Sequence, residues 1–303
     1  MSETTTTRQS STHSVLRRLV ARHPVAAFLV MVYAVNCVMP LVPVLTRLGI
    51  LPFGYTPYDS LGPIFGVALP AFIVVAATHG RAGVRDLARR CLRWRVGVRW
   101  YLFALLSVPI ATVLCTSAIF GLAPLNALVE KWELLFTVVL PQLLILILFF
   151  IVAEEVGWMG FLQARLQDRH GPLKASLIVT VPFALYHLPV LMVEFGLSLA
   201  QLHLALALVG VLGILQMFGR IVMMWLYNNT KYSVLLVGLF HSSFDATTSM
   251  SGFAGEFLPR PDWSGLLIPS GVVVVAAVVI VVFTKGRLSY EPDRTAQPVA
   301  AAP

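Results

Sequence analysis

Apolar residues in this chain do not alternate with polar ones. They collect in long runs separated by short charged stretches. A helix that crosses a bilayer needs about 20 predominantly apolar residues. Eight segments approach that length: 25–46, 61–79, 100–121, 134–156, 175–193, 203–226, 233–251 and 265–283. The pattern predicts an all-α, polytopic membrane protein with about eight transmembrane helices, forming one membrane domain over residues 24–285. Residues 1–23 and 286–303 are expected to be tails, and the Ser/Thr-rich start is expected to be disordered. The run from Pro24 to Leu45 is too long for a signal peptide and ends without a small-residue cleavage site, so it reads as the first span. No repeat of 20–50 residues is visible.

Composition agrees. Of 303 residues, 58% are hydrophobic and 12% charged, and the mean hydropathy is +0.83. Soluble domains carry about 25% charged residues. A soluble enzyme, a disordered protein and a secreted disulfide scaffold are therefore excluded. The three cysteines, Cys37, Cys91 and Cys115, have neither paired nor metal-type spacing.

The balance of 22 Lys and Arg against 14 Asp and Glu could suggest a nucleic-acid partner, but the positions argue against one. The positive charges sit in alternate short loops. Arg17, Arg18 and Arg22 precede the first span, and seven arginines from Arg81 to Arg99 follow the second. Arg165, Arg169 and Lys174 follow the fourth, Lys231 the sixth, and Lys285, Arg287 and Arg294 the eighth. The other loops hold Arg47, Lys131 and Arg260. The positive-inside rule then puts both termini in the cytoplasm. Arg81, Arg85, Arg89 and Arg93 recur every four residues, away from Val84, Leu87, Cys91 and Leu92. That spacing fits an interfacial helix on anionic headgroups, and equally a plain topology signal.

An ionisable residue at membrane depth is costly and marks a candidate functional site. Spans 1, 3 and 8 carry no charge, and the informative ones are 4, 5 and 7. Span 4 ends in Glu154-Glu155-Val-Gly-Trp-Met-Gly. Adjacent helix positions point about 100° apart, so one glutamate can face a pocket without the other. Gly157 and Gly160 would admit a close helix neighbour. Alternatively, both glutamates reach water at a helix end. Span 5 carries His187 shortly after Pro182, which can kink the helix. Span 7 carries His241 and Asp245 at i and i+4, on one face, where the carboxylate can orient the imidazole.

Depth ties these together. At about 1.5 Å per residue, His187 lies about 20 Å from Lys174, His241 about 15 Å from Lys231, and Glu154 about 16 Å from Arg165. The three can meet in one cavity open to the cytoplasm, provided that span 4 is long and continues helically to Leu166. Glutamate, histidine and aspartate in such a cavity suit peptide hydrolysis, which needs a base for water and a stabiliser for the oxyanion. Zinc could use the same ligand types, but no H-E-x-x-H is present. There is also no G-x-S-x-G in the apolar spans and no intramembrane aspartate pair.

Glu154-Glu155, then Phe183-x-x-x-His187, then His241-x-x-x-Asp245, on three successive candidate helices, resembles the CPBP family. These are the CAAX prenyl protease and bacteriocin-processing (Abi-type) intramembrane proteases. The likeness covers roughly residues 130–255 and includes the Arg-rich segment with Trp94 and Trp100. The resemblance implies an intramembrane endopeptidase with catalytic residues Glu154, Glu155, His187, His241 and Asp245. Glu154 would activate water with help from His187, and His241 and Asp245 would stabilise the oxyanion. No cofactor is expected. If a divalent metal such as zinc were present, Glu154, His187, His241 and Asp245 would hold it. The expected partners are a membrane-associated peptide or protein substrate and the lipid bilayer, and the expected location is a bacterial plasma membrane.

Two positions depart from the family pattern. Its first motif reads E-E-x-x-x-R, and Met159 stands where the arginine belongs. Its last motif often ends in Asn, and here it is Asp245. The expected pocket therefore holds three carboxylates and no matched arginine. Arg165 is not on the same helical face and does not replace it. The Met159 departure keeps open a catalytically degenerate protein acting in immunity or partner binding. A proton-coupled transporter is a third reading, with neither internal repeats nor paired broken helices to support it.

Overall fold

The computed structural model describes residues 15, 17–38, 50 and 64–292. Every regular element among them is helical. The helices that matter here are α1 (Pro24–Val38), α2 (Leu69–Cys91), α3 (Val98–Phe120), α4 (Leu135–His170), α5 (Pro172–Tyr186), α6 (Leu188–Glu194), α7 (Leu202–Asn229), α8 (Val234–Thr248) and α9 (Pro261–Thr284). All eight expected segments contain helix. Five are long and apolar enough to cross a membrane: Phe65–Cys91, α3, α4, Leu199–Asn229 and α9. The end of the expected first span (39–46), the start of the second (61–63), and the outer parts of both tails lie outside the described residues.

Three boundaries differ from expectation. The fourth helix does not stop at 156 but runs on to His170, 36 residues in all. Arg165 and Arg169 therefore lie on the helix and not in a loop. At 1.5 Å per residue this run is about 54 Å long, which leaves Glu154 and Glu155 near its middle. Within it, α-helical turns alternate with wider π-helical ones at Leu135–Val139, Leu146–Ile151 and Val156–Gln163. Such turns recur at functional sites.

The fifth segment is interrupted at His187 and resumes as α6. Pro189, second residue of α6, has no N–H to give the preceding turn. The break therefore comes just ahead of Pro189, whereas Pro182 is carried inside α5. Helix α1 packs along α5 and bonds to it twice. Tyr33 Oη donates to the Pro182 carbonyl at 2.8 Å, and Asn36 Nδ2 to the Tyr186 carbonyl at 2.6 Å, beside the break.

The second expected span ends where α2 is kinked, at Gly80 with φ 58°. Only glycine adopts that conformation without steric cost. The arginine stretch beyond it is helical to Cys91. Arg81, Arg85 and Arg89 are exposed and Leu87 is buried, as their spacing predicts. Leu92 and Arg93 lie past the helix end, and Leu92 is exposed.

Helix α7 packs against α5, α8 and α9, and α8 against α3 and α4. Aromatic contacts lock these layers together. Phe103 of α3 stacks on Phe240 of α8 at 5.8 Å and meets Trp225 of α7 at 5.3 Å. One cluster of buried side chains extends from Phe28 to Leu288. A second, smaller one sits around Val113 and the short helix Phe253–Phe257.

Candidate active site

The two glutamates occupy a four-residue α-helical turn, Val152–Glu155, between two π stretches of α4. The wide turn that follows begins Val156-Gly157-Trp158. A Cβ on Gly157 would collide with the Val67 side chain and lie 2.9 Å from the Val67 carbonyl oxygen. Glycine at 157 thus lets the segment preceding α2 lie directly on α4. Gly160 faces Val234 and Leu87. Gly157 meets the expectation of a close backbone neighbour, whereas Gly160 is approached by side chains of other helices. Trp158 is fully buried and wedges edge-on against Phe28, Phe183 and Tyr186, with centroids 5.8, 5.4 and 5.6 Å away. This wedge sets the spacing of α4 from α1 and α5.

Neither glutamate reaches bulk water. Glu155 is 0% exposed and Glu154 7%, so the reading that both sit at a wet helix end is corrected. The length of α4 carries them inward. Their side chains diverge in role. Glu155 has both oxygens engaged: Oε1 accepts from His241 Nδ1 at 2.9 Å, and Oε2 from Arg220 Nη1 at 2.7 Å. No hydrogen bond joins Glu154 to another described residue, although its carboxylate lies within 4.8 Å of both Glu155 and His241.

Arg220 was not among the residues expected from sequence. It lies in the apolar run of α7 and is 0% exposed. Its guanidinium sits 3.9 Å above the Phe183 ring. The expected arginine-free pocket is thereby corrected: a matched arginine is present and comes from a different helix. The signal was available. Arg220 lies about 16 Å from Lys231 by helical rise, level with the other three sites, and a charge at that depth demands a partner. Arg165 instead lies over Phe161, 5.1 Å from its centroid, and reaches toward His79.

The imidazole of His241 is oriented by Glu155 rather than by Asp245. Hydrogen bonding of Nδ1 to a carboxylate places a proton on Nδ1 and leaves Nε2 toward Asp245, whose Oδ1 is 3.9 Å away. That distance is too long for a hydrogen bond. Asp245 is also the most open acid of the site, with its side chain 36% exposed. The helical i,i+4 spacing did bring the two side chains to one face, but Glu155 is the nearer partner.

His187 sits at the α5 break. Its Nδ1 lies 2.8 Å from the Phe183 carbonyl, which can only accept, so Nδ1 carries the proton and Nε2 is the free ring atom. His187 packs on the Phe183 ring at 4.7 Å, and His241 lies 6.5 Å from the same ring. The structure thus gathers Glu154, Glu155 and His241 into one cluster, sets Asp245 at its edge, and places His187 one aromatic ring away. A cavity of about 60 Å³ adjoins His241, between Leu212 and Gln216 of α7, Phe244 of α8, and Leu266 and Ser270 of α9.

By distance alone, Glu154, Glu155 and His241 could hold a metal. Glu155 already neutralises a guanidinium and fixes an imidazole, so of these three Glu154 and His241 Nε2 are unengaged, with Asp245 3.9 Å from that nitrogen; zinc sites use three or four protein ligands.

No curated protein matches the chain closely enough to count as a relative. A family match does exist. It spans the helices that carry all five expected residues, and Arg220 as well. Residues 136–247 match the family model of the type II CAAX prenyl endopeptidase Rce1-like proteins, in accord with the resemblance to the CPBP family.

Proposed function

We propose that this protein is an intramembrane endopeptidase that cleaves a membrane-associated peptide or protein with water activated by Glu154. The family is a protease family, and the observation that carries the finer reading is the division of labour between the two glutamates. Glu155 is committed to Arg220 and His241, while Glu154 is buried beside them with no hydrogen-bonded partner among the described residues. A carboxylate in that position can take a proton from water as the resulting hydroxide attacks the scissile carbonyl. The tetrahedral oxyanion would form beside His241, whose ring, held at Nδ1 by Glu155 and protonated on both nitrogens, would donate from Nε2 and lower the barrier. Glu154 then returns the proton to the leaving amine as the C–N bond breaks. His187, through its free Nε2, would steady the water. The cavity beside His241 gives room for an apolar side chain of the substrate.

The proposed topology is eight crossings, with α1 to α5 and α7 to α9 as the crossing segments. Both termini and the mouth of the site would face the cytoplasm, and residues 24–285 would form one membrane domain. No resident cofactor is needed for the steps above.

The test is cleavage of a library of lipid-tethered fluorogenic peptides by the reconstituted protein. Cleavage by wild type that Glu154→Gln abolishes, with helix content intact, supports the reading. Undiminished cleavage by Glu154→Gln sinks it. The catalytically degenerate alternative is weakened by the presence of Arg220, since its motive was a missing positive charge.

A further inference from the structure

Arg220 is anchored at both its backbone and its side chain. Its carbonyl accepts from Gln163 Nε2 of α4 at 3.3 Å and lies 3.5 Å from the Ser176 hydroxyl of α5. Gln163 and Ser176 are themselves bonded at 2.8 Å, and both are fully buried. The guanidinium sits over the Phe183 ring, 3.9 Å from its centroid, and donates from Nη1 to Glu155. Its Nε and Nη2 have no partner among the described residues. An arginine kept simply to join two helices would be expected to satisfy more of its five donors. This one spends its fixed geometry on a single carboxylate oxygen.

That choice has a consequence for His241. A carboxylate has two oxygens, and a cation on Oε2 fixes the plane of the group and aims Oε1. Oε1 holds His241 Nδ1–H at 2.9 Å. From this chain of contacts across α7, α4 and α8 we infer that Arg220 is a positioning residue, which sets Glu155 so that Glu155 fixes the His241 ring with Nε2 toward the reacting groups. The proposal rests on the endopeptidase reading for what Nε2 does, but not for how the ring is held. Lysine would not serve equally well, because it neither stacks flat nor presents a rigid fork.

The helix carrying Glu155 offers a second place for the same charge. Met159 lies one turn beyond Glu155 at i+4 and is 0% exposed. An arginine placed there tests whether a cation on α4 itself can serve the same carboxylate.

The experiment uses full-length protein in nanodiscs with ¹⁵N-labelled histidine, His241 being assigned by comparison with His241→Gln. Wild type should show a hydrogen-bonded Nδ1–H on His241. Arg220→Met should lose or shift that signal while circular dichroism stays unchanged, and Arg220→Met with Met159→Arg should bring it back. Arg220→Lys should shift it part of the way. This variant carries the test if Arg220→Met does not fold. An unchanged His241 signal in folded Arg220→Met, or in Arg220→Lys when that is the only folded variant, overturns the proposal. The ring reports whether or not peptide is cleaved, so failure here is distinct from failure of the protease reading. Where cleavage is measurable, it should fall about 100-fold in Arg220→Met, as for a misplacement of about 1 Å, and recover in the double variant.

Discussion

Arg220 Nη1 and Glu155 Oε2 lie 2.7 Å apart, both side chains at 0% exposure, across 65 residues of sequence. A charge on either side chain alone would be severely destabilised at this depth, so each residue makes the other tolerable. Removing one partner of such a buried pair costs about 3–5 kcal/mol, whereas replacing both with apolar residues is often neutral. Arg220→Met should therefore lower the thermal midpoint in detergent markedly. Arg220→Met combined with Glu155→Leu should restore most of it without restoring cleavage. Equal midpoints for wild type and Arg220→Met would show that the pair carries no stability.

Asp245 lies 3.9 Å from His241 Nε2, while Glu155 holds the ring from the other side. Asp245→Asn should thus leave cleavage within a few-fold of wild type or raise it, since an amide N–H can donate to an oxyanion and a carboxylate cannot. Complete loss of cleavage in this variant would assign Asp245 a role that requires its charge.

The Asn36 amide donates at 2.6 Å to the Tyr186 carbonyl, immediately before His187. Asn36→Leu leaves that donor missing beside a broken helix, at a cost of about 1–3 kcal/mol. Thermal unfolding should register the loss. Cleavage should fall as well, because the break that presents His187 is no longer braced. Unaltered stability would mean that water replaces the amide.

Gly157 is in near-contact with Val67. Gly157→Val forces α4 away from the segment before α2, and overpacking of this kind costs about 1–3 kcal/mol. Gly210 of α7, whose Cβ would meet nothing within 4 Å and whose backbone is helical, provides a comparison at an open position. Gly157→Val should lower both the thermal midpoint and cleavage far more than Gly210→Val.

Zinc analysis bears on the site directly. With Glu155 engaged on both oxygens, protein freed of adventitious metal should hold zinc well below one equivalent, and a chelator should leave cleavage unchanged. Stoichiometric zinc lost in both Glu154→Gln and His241→Ala would overturn the glutamate mechanism.

Helical, membrane-spanning character was legible without coordinates, because unbroken apolar runs have few other folded solutions. Glu154, Glu155, His187, His241 and Asp245 stood out as candidates because charge at depth is rare, and of these the structure gathers Glu154, Glu155 and His241 into one cluster. The close approach at Gly157 followed from the same reasoning, since a glycine leaves room for a neighbour. The reach of α4 was legible in part: its apolar run ends near 156, but the polar turns that follow remain helical to His170 because packing on α2 and α5 supports them. The break at His187 belonged to Pro189 rather than Pro182, a choice that depends on which lost backbone bond the neighbours can absorb. Partner choice was beyond the one-dimensional pattern. Sequence spacing pairs His241 with Asp245 on one helix, yet the ring bonds to Glu155 of another. It leaves Glu155 without a cation one turn away, yet α7 supplies Arg220. Spacing along a helix fixes which side chains share a face. Which of them meet across helices is decided by how the helices pack, and in this protein a fully buried tryptophan, a glycine contact and one stacked guanidinium decide it.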